Sequence, residues 1–245
     1  MSRRKLANRL AKLLKQYDGE IEEAFLAAVR DKAASINLTA LAEAIEARDI
    51  NRALSIAGIT RADLYPFDAS INSAYVAGGQ TIPEAAPAFA IRFGFDGRAT
   101  RAEQWARVHV GGLVTDIVDD QIEVLRETIG QQIADGVAPR KAAIDIAGRS
   151  MRGGRQGGFI GLSRPQAGYL ANARRELETL DANYFTRTLR DKRFDGIVRK
   201  AIAAGKALSI ADIDRIAGRY SDRMLKHRAD TIARTESITA RHAGQ

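Results

Sequence analysis

The sequence predicts a mainly α protein, a multi-helix chain with a long spine helix, long C-terminal helices and one small β element. Three observations predict it. Apolar residues recur three and four positions apart over most of the chain. Proline accounts for only 5 of 245 residues and aromatics for 6%. Helix-start signals recur at Thr60, Thr100, Ser163 and Ser209. A chain of this length can bury a core without covalent staples. The absence of cysteine from the sequence excludes disulfides, thiolate metal sites and thiol nucleophiles, and agrees with a reducing compartment. No run approaches the roughly 18–20 apolar residues of a spanning helix, and Arg9, Lys12 and Lys15 interrupt any signal-peptide core, so the chain reads as a soluble protein.

The elements follow in order. Residues 3–17 set Leu6, Leu10, Leu13, Leu14 and Tyr17 at helical spacing among cations, a short basic amphipathic helix. Its Arg3, Arg4, Lys5 and Arg9 are candidates for docking a partner. Three more helices are expected over 20–36, 39–48 and 50–57, with Gly58 as a stop. Thr60-Arg61-Ala62-Asp63 has capping-box form, and Pro66 is expected to cut that helix short. Between Pro66 and Gly97 the period changes, and Phe89, Ile91, Phe93 and Phe95 alternate as a strand would, closed by Asp96-Gly97. A capped start at Thr100 then opens the spine helix, which runs to about Asp135 through Trp105, Val114, Val118, Ile122 and Leu125. Residues 140–150 form another helix before a glycine- and arginine-rich linker over 152–158. Further helices are expected over 164–180, 184–204 and from Ser209 to about Ala240. These elements group into a helical region over 1–97 with the β element, a spine and linker over 98–162, and a C-terminal helical region over 163–245.

Charge is unevenly spread. Residues 1–18 carry six basic and one acidic side chain, residues 19–136 ten and eighteen, and residues 137–245 twenty-two and eleven, for an overall +8. The basic parts suit a polyanion such as DNA or, equally, a solvated arginine-rich surface.

The C-terminal third carries motifs. His227-Arg228-Ala229-Asp230-Thr231-Ile232-Ala233-Arg234-Thr235-Glu236 resembles the R-A-x-x-I-A-R-T-E signature of the minor head, or head morphogenesis, proteins of tailed phages, the Mu F-like group. Gly161-Leu162-Ser163-Arg164-Pro165-Gln166-Ala167 is similar to the G-L-[ST]-x-x-Q-A stretch of that family. Asn172-Ala173-Arg174, Arg190 to Asp195, Arg219 to Leu225 and the run from Phe93 to Trp105 extend the resemblance over about residues 90–242, leaving 1–88 uncovered. The resemblance implies a virion protein of the portal vertex or capsid interior, assembled into heads in the host cytoplasm and acting in head assembly and DNA packaging or ejection. The partners it implies are the portal protein, the major capsid protein or both, and packaged double-stranded DNA, with no membrane at the assembly stage. It implies no catalytic residues and no cofactor. Family members commonly continue beyond this signature, so a short form or a processed product is expected.

The signature residues Arg228, Ala229, Ile232, Ala233, Arg234, Thr235 and Glu236 are expected to be structural. Arg234 and Glu236, two apart on one helix, point to different faces and should each reach another helix. Buried or half-buried bridges toward the segment at Ser163 are expected of both. Arg152 and Arg155, set among Gly153, Gly154, Gly157 and Gly158, could meet phosphate oxygens, although no G-K-[ST] follows and a flexible hinge explains the glycines as well. Asp116, Asp119, Asp120 and Glu123 share a helix face that could hold Mg²⁺ in a metal-dependent nuclease; a solvated or docking face is the better account. Glu176 and Glu178 form an E-x-E, as in ADP-ribosyltransferases, but on an expected helix rather than among strands. His109, His227 and His242 have no metal-ligand spacing, so no metal site is expected. A stand-alone, nonspecific DNA-binding protein is the alternative from another class.

Overall fold

The computed structural model describes residues 3–85, 104–151 and 154–244. Among the described residues the fold is mainly α, with nine α-helices and one two-stranded antiparallel sheet. The helices are α1 (Arg3–Ser35), α2 (Leu38–Glu46), α3 (Ile50–Ala57), α4 (Tyr65–Ala85) and α5 (Gly111–Ala134), with a π-turn over Ala106–Val110 just before α5. After α6 (Pro139–Ala147) come strands β1 (Arg149–Met151) and β2 (Gly154–Gln156), then α7 (Arg164–Glu178), α8 (Asp195–Ala204) and α9 (Ile210–Gly244).

Local chemistry accounts for most starts. Ser163 receives the Gln166 side chain on its backbone N–H at 3.1 Å, and Ser209 accepts from Asp212 N at 3.1 Å while its hydroxyl donates to the Asp212 carboxylate at 2.7 Å. The Thr60–Asp63 box also forms, with Thr60 N donating to Asp63 Oδ2 at 2.8 Å, but it opens a turn over residues 61–64 and the helix begins only at Tyr65. Pro66 does not shorten the helix that follows. It sits in the first turn of α4, where an absent N–H costs nothing, and residues 65–85 are helical despite their glycines and prolines.

Three expected boundaries fall elsewhere; the helix expected over 140–150 stops at Ala147, and Arg149 and Ser150 enter β1. The helices expected over 3–17 and 20–36 are one helix, α1. Gly19 costs it about 1 kcal/mol relative to alanine, but Ile21, Phe25, Ala28 and Val29 are buried along it and Gln16 bonds to Glu20 at 2.8 Å across the glycine. Conversely, the single helix expected over 184–204 is broken into 3₁₀ turns at Ala182–Thr186 and Lys192–Phe194 followed by α8. Asp181 and Asp191 cause this: each carboxylate accepts the backbone N–H two residues on, at 2.8 and 3.2 Å, and starts a new turn.

The linker expected over 152–158 is a hairpin where it is described. Arg149 pairs with Gln156, Ser150 with Arg155 and Met151 with Gly154. Gly157 follows it at φ +72°, with no room for a side chain: a Cβ there would come within 2.8 Å of Gly218 Cα on α9. The strand expected around 89–95 and the capped start at Thr100 lie outside the described residues.

The chain forms two compact units, to each of which α1, α5 and α9 contribute residues. One comprises residues 1–28, 60–117 and 228–245; its core holds Phe25 edge-on to Phe67 at 5.5 Å, with Ile21, Leu64, Ile71 and Val114 also buried. The other comprises residues 29–59 and 118–227. Its core has two parts, one around Phe159, Leu162, Leu170, Tyr220 and Met224, the other around Leu177, Tyr184, Val198 and Ile216.

Candidate functional site

In the first unit, the signature segment 228–236 lies on α9. Ala229, Ala233 and Glu236 are buried, Arg228 and Ile232 half-buried, and Arg234 and Thr235 exposed. Small residues on the inner face let the helix pack closely, while the Arg228 guanidinium stands 6.0 Å from the Phe25 ring centre. Glu236 makes the buried bridge expected of it, but to a different partner: its Oε2 lies 2.7 Å from His109 Nε2, not at the Ser163 segment. Arg234, on the exposed face, makes no buried bridge. The π-turn presents His109, and the Trp105 ring stacks on His109 at 4.9 Å and on Tyr75 at 4.7 Å, both at 19°. On the same helix Ser237 donates to the Asp18 carboxylate, tying α9 to α1 within this unit.

In the second unit a chain of charges runs under the hairpin. Lys141 Nζ contacts Asp145 at 2.6 Å; Arg174 reaches Asp145 at 3.3 Å and Asp214 at 2.8 Å; Arg149 also pairs with Asp214. Both carboxylates are buried. Four elements, α6, α7, β1 and α9, are thereby joined through two acids that cannot be left uncompensated. Sequence reasoning did not single out Asp145 or Asp214. The signal was present: each acid stands at helical spacing from small apolar residues, Asp145 three after Ala142, Asp214 three after Ala211 and three before Ala217.

Other paired charges surround the segment 176–195. Arg187 holds Glu176 with two bonds of 2.6 Å, so the glutamate of the E-x-E is part of a bidentate structural pair. That bond also pushes the Arg187 pKa above its ordinary value, ahead of an opposing burial effect. Arg190 pairs with Asp195 at 3.1 Å. Arg193 bonds to Asp191 through side chain and backbone, and that holds the Asp191 carboxyl down to about 2. Asp222 shifts the other way: burial raises its pKa, opposed by the Gly157 N–H at 2.7 Å and by Arg219. Burial likewise lifts the Tyr184 phenol to about 12.

Arg155 gives its guanidinium to backbone carbonyls, Gly148 O at 3.2 Å and Ile36 O at 3.3 Å, and so pins the hairpin to the end of α1. Arg152 lies outside the described residues, as do the side chains of Arg3, Arg4, Lys5 and Arg9. Of the acidic stripe on α5, Asp116, Asp119 and Glu123 are exposed or half-buried, and the Asp120 carboxylate accepts the Arg164 backbone N–H at 3.1 Å, supporting the start of α7. Among the described residues no group of three or more histidine or carboxylate side chains is placed to hold a metal ion. None of the helices searched there is long and apolar enough to cross a membrane.

A groove of about 530 Å³ opens on the second unit beside the hairpin, lined by Arg149, Met151, Phe194, Arg215, Arg219 and Asp222 among others. A wider cleft of about 750 Å³ lies between α5 and α7, where the buried Gln132 Oε1 and Arg174 Nε have no hydrogen-bond partner. No family model, curated protein or solved structure matches the chain.

Proposed function

We propose that the protein is a non-enzymatic minor head component of a tailed phage, associated with the portal vertex or the capsid interior and acting in head assembly and in DNA packaging or ejection. The observation that carries the reading is the ordered set of motifs between Gly161 and Glu236. Each also has a structural task of the kind an assembly protein requires. Gly161 N donates to Gln121, Gln166 caps α7, Arg174 joins Asp145 to Asp214, Arg190 holds Asp195, Asp222 accepts from Gly157, and Glu236 meets His109. Motif residues committed to joints of the scaffold fit a protein that works by shape and contact. On this reading the basic start of α1 docks the portal or major capsid protein, and basic surface on the second unit meets packaged duplex DNA.

Quantitative mass spectrometry of purified heads, made with and without the portal protein, tests it. A few copies per head, lost when the portal is missing, are expected. Absence from both kinds of particle would overturn the reading and leave a stand-alone DNA-binding protein, which the basic excess of residues 137–245 also supports.

A further inference from the structure

The basic excess of the C-terminal part is concentrated in the second unit, where residues 137–227 carry nineteen basic and nine acidic side chains. Depth sorts the charges in two of its segments. Over residues 190–200 the exposed charged residues are Lys192, Arg193, Arg199 and Lys200, while Asp191 and Asp195 are buried. Over residues 211–223 the exposed or half-buried cations are Arg215, Arg219 and Arg223, while Asp214 is buried and Asp212 and Asp222 are half-buried. In both segments the carboxylates lie deeper than the cations, so the outermost charge is positive although most of the arginines are paired and Asp214 and Asp222 also line the groove.

Pairing prepares these arginines rather than consuming them. Arg193 is 73% exposed over a 3% exposed Asp191, Arg149 is 48% exposed over a 2% exposed Asp214, and Arg215 is 55% exposed beside Asp212. A guanidinium has five N–H donors, and a carboxylate that takes one or two holds the rest in a fixed direction. Arg215, Arg219 and Arg223 repeat every four residues along α9, about 6 Å of rise per step, and form a line of cations rather than a cup. A line suits a polyanion better than a single ion. Phe194, the aromatic side chain lining this groove, is half-buried with the Arg215 guanidinium 5.4 Å from its ring centre, so it offers no open platform for an unpaired base.

We infer that this face, the groove beside the hairpin and the arginine line along α9, seats the phosphodiester backbone of duplex DNA without reading its sequence. Arg215, Arg219 and Arg223 meet successive phosphates, and Arg149 and Arg193 add charge at the groove. The inference deepens the DNA-binding part of the proposed function and rests on that reading. It also moves the DNA surface away from Arg155, which is half-buried with both terminal nitrogens on backbone carbonyls, whereas the exposed Arg223 gives only one, to Arg190 O at 2.7 Å.

The test is anisotropy titration of the full chain with a random-sequence duplex of about 30 base pairs over a salt series. Every phosphate that a side chain neutralises adds about 0.9 to the steepness of log K against log salt. The triple variant R215Q/R219Q/R223Q is therefore expected to flatten the slope by about 2.7 and to bind at least about tenfold more weakly near 0.1 M salt. The triple R126Q/R140Q/R175Q removes the same charge from positions elsewhere on the second unit and is expected to keep its slope within about 0.5. If the first triple melts below wild type, R215Q/R219Q, whose partners Asp212 and Asp222 are half-buried, replaces it, with a flattening of about 1.8. Equal changes in groove and control variants would overturn the inference, as would an unchanged slope. So would a groove variant that loses binding to phosphatidylserine vesicles or polyglutamate while its duplex affinity holds. Copies per head, counted in parallel, report on the head assignment separately: that assignment fails if heads lack the chain, whatever the slope does.

Discussion

The two units solve the same problem, a polar group inside an apolar interior, with different chemistry. In the second unit the buried acids Asp145, Asp191, Asp195 and Asp214 are each met by arginine or lysine. In the first unit the buried Glu236 is met by a histidine that is itself held in a stack of rings. Guanidinium stays charged at any working pH and can hold two carboxylates at once, as Arg174 does; imidazole is a single, directional partner. The second unit is thus built around permanent charge pairs and the first around a shaped polar bridge, and removal of a partner should cost more in the second.

The largest effect is expected for Arg174→Met. Asp145 and Asp214 are deprived of their shared cation while Lys141 and Arg149 remain, so a drop of about 3 kcal/mol in stability is expected, at the low end for broken buried pairs. Urea denaturation measures it, and hydrogen exchange should quicken in residues 139–178. A drop no larger than that of His109→Ala would break the contrast between the units.

Close backbone approaches sharpen the same comparison. Gly157→Ala places a Cβ against Gly218 Cα at 2.8 Å and also forces a left-handed φ, whereas Gly78→Ala in the first unit meets the Arg241 backbone at 2.8 Å with no such strain. About 2.5 kcal/mol is expected for the first and about 2 kcal/mol for the second. Thermal melting of the two variants side by side gives the order, and a reversed order would mean that α9 yields at Gly218 more readily than at Arg241.

His109→Ala strands the Glu236 carboxylate and opens the ring stack, at about 1–2 kcal/mol. Glu236→Gln, which keeps a hydrogen-bonding partner for the imidazole, should cost less in the same urea titration, and equal costs would mean that charge rather than shape holds this bridge.

The smallest effect concerns acid. Asp191 has a folded pKa of about 2, below its ordinary 3.8, so its contribution is fully present above about pH 4 and disappears as pH falls through 2. Asp191→Asn should lower stability at pH 5 and come level with wild type only below about pH 2, as read from urea midpoints across that range. Asp222, whose carboxyl is raised, has the opposite sign and costs stability as it ionises, so Asp222→Asn should gain slightly, relative to wild type, as pH rises.

Legibility in the sequence followed distance along the chain. Starts at Ser163 and Ser209, and the long apolar stripe of α5, depend on neighbours within a turn or two and were readable. The break before α8 was not, because Asp181 and Asp191 compete with an apolar period that reads as continuous helix. The hairpin over 149–156 reads as a linker because its glycines signal freedom until the approach of Gly218 to Gly157 is known. Glu236 could be marked as reaching beyond its helix, but its partner could not.

By itself, then, the sequence determined the mainly α class, the local caps, the basic C-terminal charge and the motif order, since each depends on composition or on interactions within a few residues. Tertiary structure alone decided that Gly19 would stay inside α1, that Arg155 would face carbonyls, that Glu236 would meet His109, 127 residues away, and that carboxylates would lie deeper than arginines in two segments of the second unit. Those outcomes depend on which helix faces pack together, and burial of Ile21, Phe25 and their neighbours outweighs a local preference of about 1 kcal/mol.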